Sequence, residues 1–65
     1  MMDPMDTLEV AVEQRLVGLY SATKTLKEIL RQEEGRKVMA RSRCKEDLRL
    51  VRDQLSKMIN EVERG

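Results

Sequence analysis

The sequence predicts an all-α fold: a two-helix antiparallel hairpin, coiled-coil-like, that assembles into a helical bundle. Three observations lead to this prediction. Of 65 residues, 38% are charged and only 2% are aromatic, as in long helices and coiled coils. Two segments carry apolar residues at alternating steps of four and three, the heptad pattern of helices that pack together. A chain this short buries only about 60% of its unfolded surface, so it needs extra stabilisation, here from a partner chain.

We expect a short leader followed by one domain. Residues 1–4 resemble cloning-derived sequence ahead of a native Met5, and we exclude them from functional reasoning. Residues 5–65 are too few for more than one domain and are predicted to form a single helical association domain. The charged helical pattern continues to Gly65, which leads us to expect that the chain is a fragment of a longer protein.

The first helix is predicted over about residues 5–34. Asp3 is suited to cap it, with Pro4 at the first helical position, where the missing N–H of proline costs nothing. Asp6 followed by Glu9 is an alternative start, as a variant capping box. A local period of two in the first turns also admits a short strand, but the helical period continues for three turns beyond it.

A first seam of apolar residues runs along this helix, interrupted only by Thr23. In the N-terminal half of the helix, apolar residues cover a wider arc around the axis than on an amphipathic surface helix, whose opposite face is polar. We predict that these residues bind a partner. Gly18 and Ala22 lie there at a spacing that lets helices approach closely. The first seam consists of Val12, Leu16, Leu19, Thr23, Leu26 and Leu30. The predicted partner-binding region consists of Leu8, Val10, Val12, Leu16, Val17, Leu19 and Tyr20.

The second helix is predicted over about residues 43–63. Its apolar residues follow steps of four and three for about three heptads, and most of the intervening residues are charged. Asp53 and Lys57, four apart in the favourable order, are expected to add ~0.3 kcal/mol. Together with Leu26 and Leu30, these apolar residues are predicted to form the helix-packing seam. The second seam consists of Cys44, Leu48, Val51, Leu55, Met58 and Val62.

The connection is predicted to hold a turn within residues 34–43. Gly35 is the obvious break. A break there, however, would place two glutamates at the end of one helix and two basic residues at the start of the next, both against the helix dipole. Ser42 as the cap of the second helix would suit the charges better. The two seams are out of register, so a straight helix would need a stutter; one long interrupted coiled-coil helix is the alternative to the hairpin.

A basic cluster lies within residues 36–52. On a continuous helix, Lys37, Arg41, Lys45 and Arg49 would form a stripe suited to contact phosphate or an acidic partner. Acidic residues are interleaved with them, the net charge is only +1, and no aromatic residue is present in the cluster to stack on a base. A small nucleic-acid-binding helical module is therefore the alternative function rather than the first choice.

The sequence gives no support for catalysis, a metal site or a cofactor. Cys44 has no histidine to activate it, and two helices offer no obvious pocket. One cysteine among scattered carboxylates makes a poor zinc site, and a free thiol favours an intracellular location, cytoplasmic or nuclear. No apolar run is long enough to span a membrane. We therefore predict a non-catalytic protein–protein association module, an oligomerisation or adaptor and scaffold subunit that forms a homo-oligomer or joins a heteromeric helical partner.

Overall fold

The structure, a computed structural model, describes residues 3–65, and every regular element among them is an α-helix. In chain order these are α1 (Pro4–Arg31), α2 (Glu33–Met39) and α3 (Ser42–Arg64). The prediction of an all-α chain is confirmed. Met1 and Met2, half of the predicted leader, lie outside the described residues. The chain divides into two units, one that ends at Gln32 and one that begins at Glu33.

The start of α1 is fixed by the cap at Asp3. Its side-chain Oδ1 accepts a hydrogen bond from the Met5 N–H at 2.9 Å, and Pro4 occupies the first helical position. Asp6 adds a negative charge in the first turn, where the helix dipole favours it. The helix therefore begins ahead of the alternative start at Asp6, and the residues with the local period of two are helical rather than a strand.

The end of α1 lies at Gln32, where neither glycine nor proline is present. Gln32 adopts an extended conformation, with φ −85° and ψ 142°, and its N–H donates to the carbonyl of Ile29 at 3.1 Å. This bond spans three residues instead of four, so the last turn is tightened before the chain leaves the helix. Arg31 places a positive charge in the last turn, where the dipole favours it.

Gly35, the obvious candidate for a break by residue type, lies inside α2 and does not interrupt a helix. The charges explain the difference. With the first break at Gln32, Glu33 and Glu34 fall in the first turn of α2, and the basic residues fall in its last turn, so both pairs align with the dipole. Glu33 and Lys37 also form the ion pair expected of residues four apart in one helix, with 3.8 Å between Oε1 and Nζ.

A second break lies at Ala40 and Arg41, within the range predicted to hold the turn. Arg41 is the N-cap residue of α3, with φ −65° and ψ 145°, and its side chain makes no capping hydrogen bond. Ser42, the expected cap, is instead the first helical residue. Both breaks fall between Leu30, where the first seam ends, and Cys44, where the second begins. Non-helical residues thus fall in the stretch where the two registers disagree.

No side chain of residues 3–65 is buried. A single helix such as α1 has nothing within its own unit to cover its apolar face. In the second unit α2 contacts α3 near their shared break, but residues twelve or more positions apart do not come within 8 Å of each other, so α2 does not fold back along α3. The antiparallel hairpin of the two seams is not confirmed and stays a prediction.

Candidate association surfaces

The first seam forms one continuous stripe on α1. At about 100° per residue, its six members lie within about 40° of a single line along the helix. Leu16 is 54% exposed and Leu30 44%, whereas Leu19 and Thr23 are half-buried. The stripe is therefore apolar, solvent-accessible and without a neighbouring element inside its own unit.

Thr23, the polar interruption of the first seam, has its hydroxyl satisfied within the helix. Thr23 Oγ1 donates to the carbonyl of Tyr20 at 2.7 Å. A hydroxyl that already has a partner costs little to remove from water, whereas an unpaired one costs roughly 1–3 kcal/mol. Thr23 is thus compatible with burial in an apolar interface.

The predicted partner-binding region divides between two sides of α1. Leu8 lies on the line of the first seam and extends it by one turn, alongside the seam members of that region. Val10 and Val17 lie on the opposite side, roughly 140–160° away around the axis. Tyr20 lies between the two sides, with the ammonium of Lys24 5.7 Å from its ring centroid, a cation–π contact. The helix does not bring these residues together on one face.

The second seam is the narrower stripe. Its six residues lie within about 80° of arc on α3, and most of the remaining surface of the helix is charged. Cys44 and Leu55 are half-buried, Leu48 and Met58 are 44% and 48% exposed, and Val62 is more open. Leu50 is 55% exposed and lies off the stripe, about 160° around the axis from Leu48.

Two exposed apolar residues next to the seams were missed by the sequence reasoning. Met5 lies seven residues before Val12, on the line of the first seam, and it lines a shallow open groove with Leu8. The seven-residue repeat of the first seam, extended backwards from Val12, would have identified Met5 as a member of the stripe. Ile59 lies beside the second seam, four residues after Leu55, and widens the stripe on one side.

The basic stripe predicted on a continuous helix is interrupted. Lys37 lies in α2, Arg41 has left the helical conformation, and only Lys45 and Arg49 share a face of α3. Lys37 and Arg49 are already in ion pairs with carboxylates, at 3.8 Å to Glu33 and at 4.0 Å to Glu46.

The expected pair of Asp53 with Lys57 is not formed, because Asp53 instead accepts a hydrogen bond from the adjacent Arg52 at 3.2 Å. The guanidinium of Arg52 also lies 3.2 Å from the same oxygen. Both side chains are more than half exposed, so this contact is worth little to stability.

Cys44, the one cysteine of the chain, is a free thiol on the second seam. Residues 3–65 hold no cluster of three or more side chains suited to bind a metal ion. Nor does any helix in that range have the length and apolar character needed to cross a bilayer. The described residues carry two apolar helix stripes, one on α1 and one on α3.

No protein-family model matches the chain, and no curated protein or solved structure is detectably similar to it.

Proposed function

We propose that this chain is a non-catalytic protein–protein association module that acts through its two apolar seams. The observation that carries the proposal is that no side chain of residues 3–65 is buried, although the chain forms long helices with continuous apolar stripes. In water, most of the stability of such helices comes from the packing of an amphipathic face. A protein surface that covers the stripes supplies that packing.

The energy available to such a partner is substantial. Full burial of an exposed aliphatic side chain contributes ~1.5–3 kcal/mol. Three residues of the second seam, Leu48, Val51 and Met58, are 44–48% exposed, so each has roughly 1 kcal/mol left to gain. Val62 is 79% exposed and has roughly 2 kcal/mol left to gain, which brings the sum to about 5 kcal/mol per chain. Two chains gain about 10 kcal/mol, against an association cost of roughly 4–15 kcal/mol. We therefore expect a concentration-dependent assembly rather than a very tight one.

Two arrangements cover the seams. In the predicted antiparallel hairpin, the seams face each other and hairpins assemble into a bundle, with the rest of the partner-binding region on α1 directed to another chain. In the interrupted-helix arrangement, each seam faces another chain directly. Both arrangements give the chain the role of an oligomerisation or adaptor subunit, as a homo-oligomer or with a heteromeric helical partner.

Sedimentation equilibrium, with helicity measured by circular dichroism at the same concentrations, tests the proposal. We expect a mass above the 7.6 kDa of one chain, and a helicity that rises with that mass. Apolar association should persist at high salt, whereas binding to phosphate through the basic cluster should collapse. A poorly helical monomer that folds only with another protein would assign the seams to a heteromeric partner. A monomer that is fully helical at every concentration would contradict the proposal.

A further inference from the structure

The second seam carries charged flanks that specify what pairs with it. We propose that its occupant is the second seam of another copy of this chain, aligned parallel and in register. The inference rests on the proposed association function and adopts its interrupted-helix arrangement. It follows from the heptad positions on α3 and from the charges beside them.

The steps of the second seam fix these heptad positions. A step of four leads from a d position to an a position, and a step of three leads from a to d. Leu48, Leu55 and Val62 are therefore at a, and Cys44, Val51 and Met58 are at d. The flanking e positions hold Lys45, Arg52 and Ile59, and the flanking g positions hold Asp47, Gln54 and Glu61.

Parallel pairing brings opposite charges together. In a parallel coiled coil, a g residue faces the e residue five positions later on the partner. Asp47 then faces Arg52 of the other copy, and symmetry forms the same pair twice. Gln54 faces Ile59, so no like charges meet.

Antiparallel pairing of the same seams brings like charges together. In that orientation g faces g and e faces e, in the register that pairs all six seam residues. Asp47 then faces Glu61 of the other copy twice, and Arg52 faces its own counterpart. Every charged pair that forms is repulsive, which specifies against this orientation.

The hairpin within one chain is not favoured by charge either. When the six residues of the first seam pair with the six of the second in antiparallel order, the residues that flank the seams bring Arg15 opposite Glu61 and Lys27 opposite Lys45. One opposite pair is offset by one like pair. Only the parallel pairing of two second seams gives opposite pairs without a like pair.

The charged groups that this pairing needs are available in the structure. Asp47 makes no ion pair within residues 3–65. Arg52 contacts only the neighbouring Asp53, in an exposed pair whose side chains are 69% and 55% accessible. Such pairs break at little cost, so the guanidinium is free to turn toward a partner chain.

Cys44 makes the orientation measurable. In the parallel register the two thiols occupy the same layer and face each other. In the antiparallel register Cys44 faces Val62 instead, and the two thiols are eighteen residues apart along the helix, about 27 Å. A disulfide requires Cα atoms within about 7 Å, so oxidation separates the two cases.

The first experiment oxidises the Val62→Cys variant of the 65-residue chain and maps the disulfides by mass spectrometry of its peptides. Parallel pairing predicts like-with-like bonds, residue 44 to residue 44 and 62 to 62. Bonds between residues 44 and 62 would overturn the parallel orientation and leave the association function standing. Oxidation no faster than in urea would overturn self-pairing. A chain that is also monomeric and fully helical at every concentration in sedimentation and circular dichroism would remove the proposed function as well.

The second experiment reverses one charge without touching the seam. Asp47→Arg should weaken self-association about tenfold, since it creates two repulsive pairs with Arg52. Adding Arg52→Asp to that variant should restore the affinity. Glu63→Arg, a reversal of the same sign on α3 at a position outside the e and g flanks and without contact to Arg52, is the control. In the antiparallel orientation Asp47→Arg would instead attract Glu61 and strengthen association. The sign of the change in affinity therefore distinguishes parallel from antiparallel pairing.

Discussion

Leu48 and Leu50 form a matched pair that separates a packing seam from an ordinary exposed surface. They are the same residue type, two positions apart on α3, and are 44% and 55% exposed. They lie about 160° apart around the axis, and only Leu48 belongs to the second seam. Truncation of each to alanine removes the same atoms, and leucine and alanine are both good helix formers.

The expected cost of Leu48→Ala follows from its remaining exposure. Leu48 is 44% exposed in the single chain, so about half of the free energy of its burial is gained only on association. Leu48→Ala should therefore reduce the free energy of association by roughly 1–2 kcal/mol per chain, from the lost transfer of the side chain and the cavity together. For two chains this is about 2–4 kcal/mol, or roughly a 30- to 700-fold increase in Kd. Leu50→Ala should leave Kd within about a factor of two, as surface substitutions usually do.

The assay is sedimentation equilibrium of the wild type and both variants over one concentration series, with melting temperatures from circular dichroism. Loss of melting temperature in Leu48→Ala at unchanged monomeric mass would indicate that the seam is covered within one chain. Equal effects of the two substitutions, or no effect of either, would refute the reasoning, because then the stripe is no more buried in solution than the opposite side of the helix.

Three further substitutions test local features of the helices. An added Cβ at Gly18 meets nothing within 4 Å, so Gly18→Ala should stabilise α1 by about 1 kcal/mol through its higher helix propensity, seen as a higher helicity. Gly18→Leu should reduce the assembled mass if another helix approaches closely there. An unchanged mass and melting temperature for Gly18→Leu would exclude that approach. Thr23→Val removes a hydroxyl bonded only to Tyr20, so we expect a small change in melting temperature at the same mass, and a changed mass would show that Thr23 sets the oligomeric state. Arg41→Asp supplies the missing cap of α3 and should stabilise it by about 1 kcal/mol, seen as a higher melting temperature, with Arg43→Asp as the control for charge alone.

The helices and their seams were predictable because their signals repeat. Each seam continues for several turns at one period, so a single interruption such as Thr23 does not hide it. The cap at Asp3 was likewise readable, because an acceptor followed by Pro4 is a local signal that needs no tertiary context.

The breaks were harder to predict because no residue at either one forces the chain out of a helix. Gly35 was the obvious choice, yet a helical glycine costs only about 1 kcal/mol, which the dipole and the Glu33–Lys37 pair offset. Gln32 and Arg41 have ordinary negative φ values and no side-chain cap. The position of each break depends on the sum of several small free energies, from helix propensity, the helix dipole and ion pairs, so no single residue identifies it.

The weak start of α3 connects its local structure to association. Arg41 provides no side-chain cap, and no acidic residue lies in the first turn, where the dipole favours negative charge. Cys44, the first residue of the second seam, lies in that same turn. In the proposed parallel pairing, packing of Cys44 against the partner chain stabilises this weakly capped end of α3. For this reason Arg41→Asp should also strengthen association, since it orders the first seam layer before the partner arrives and lowers the entropy that binding removes. An unchanged Kd alongside a higher melting temperature would show that the Cys44 layer lies outside the interface.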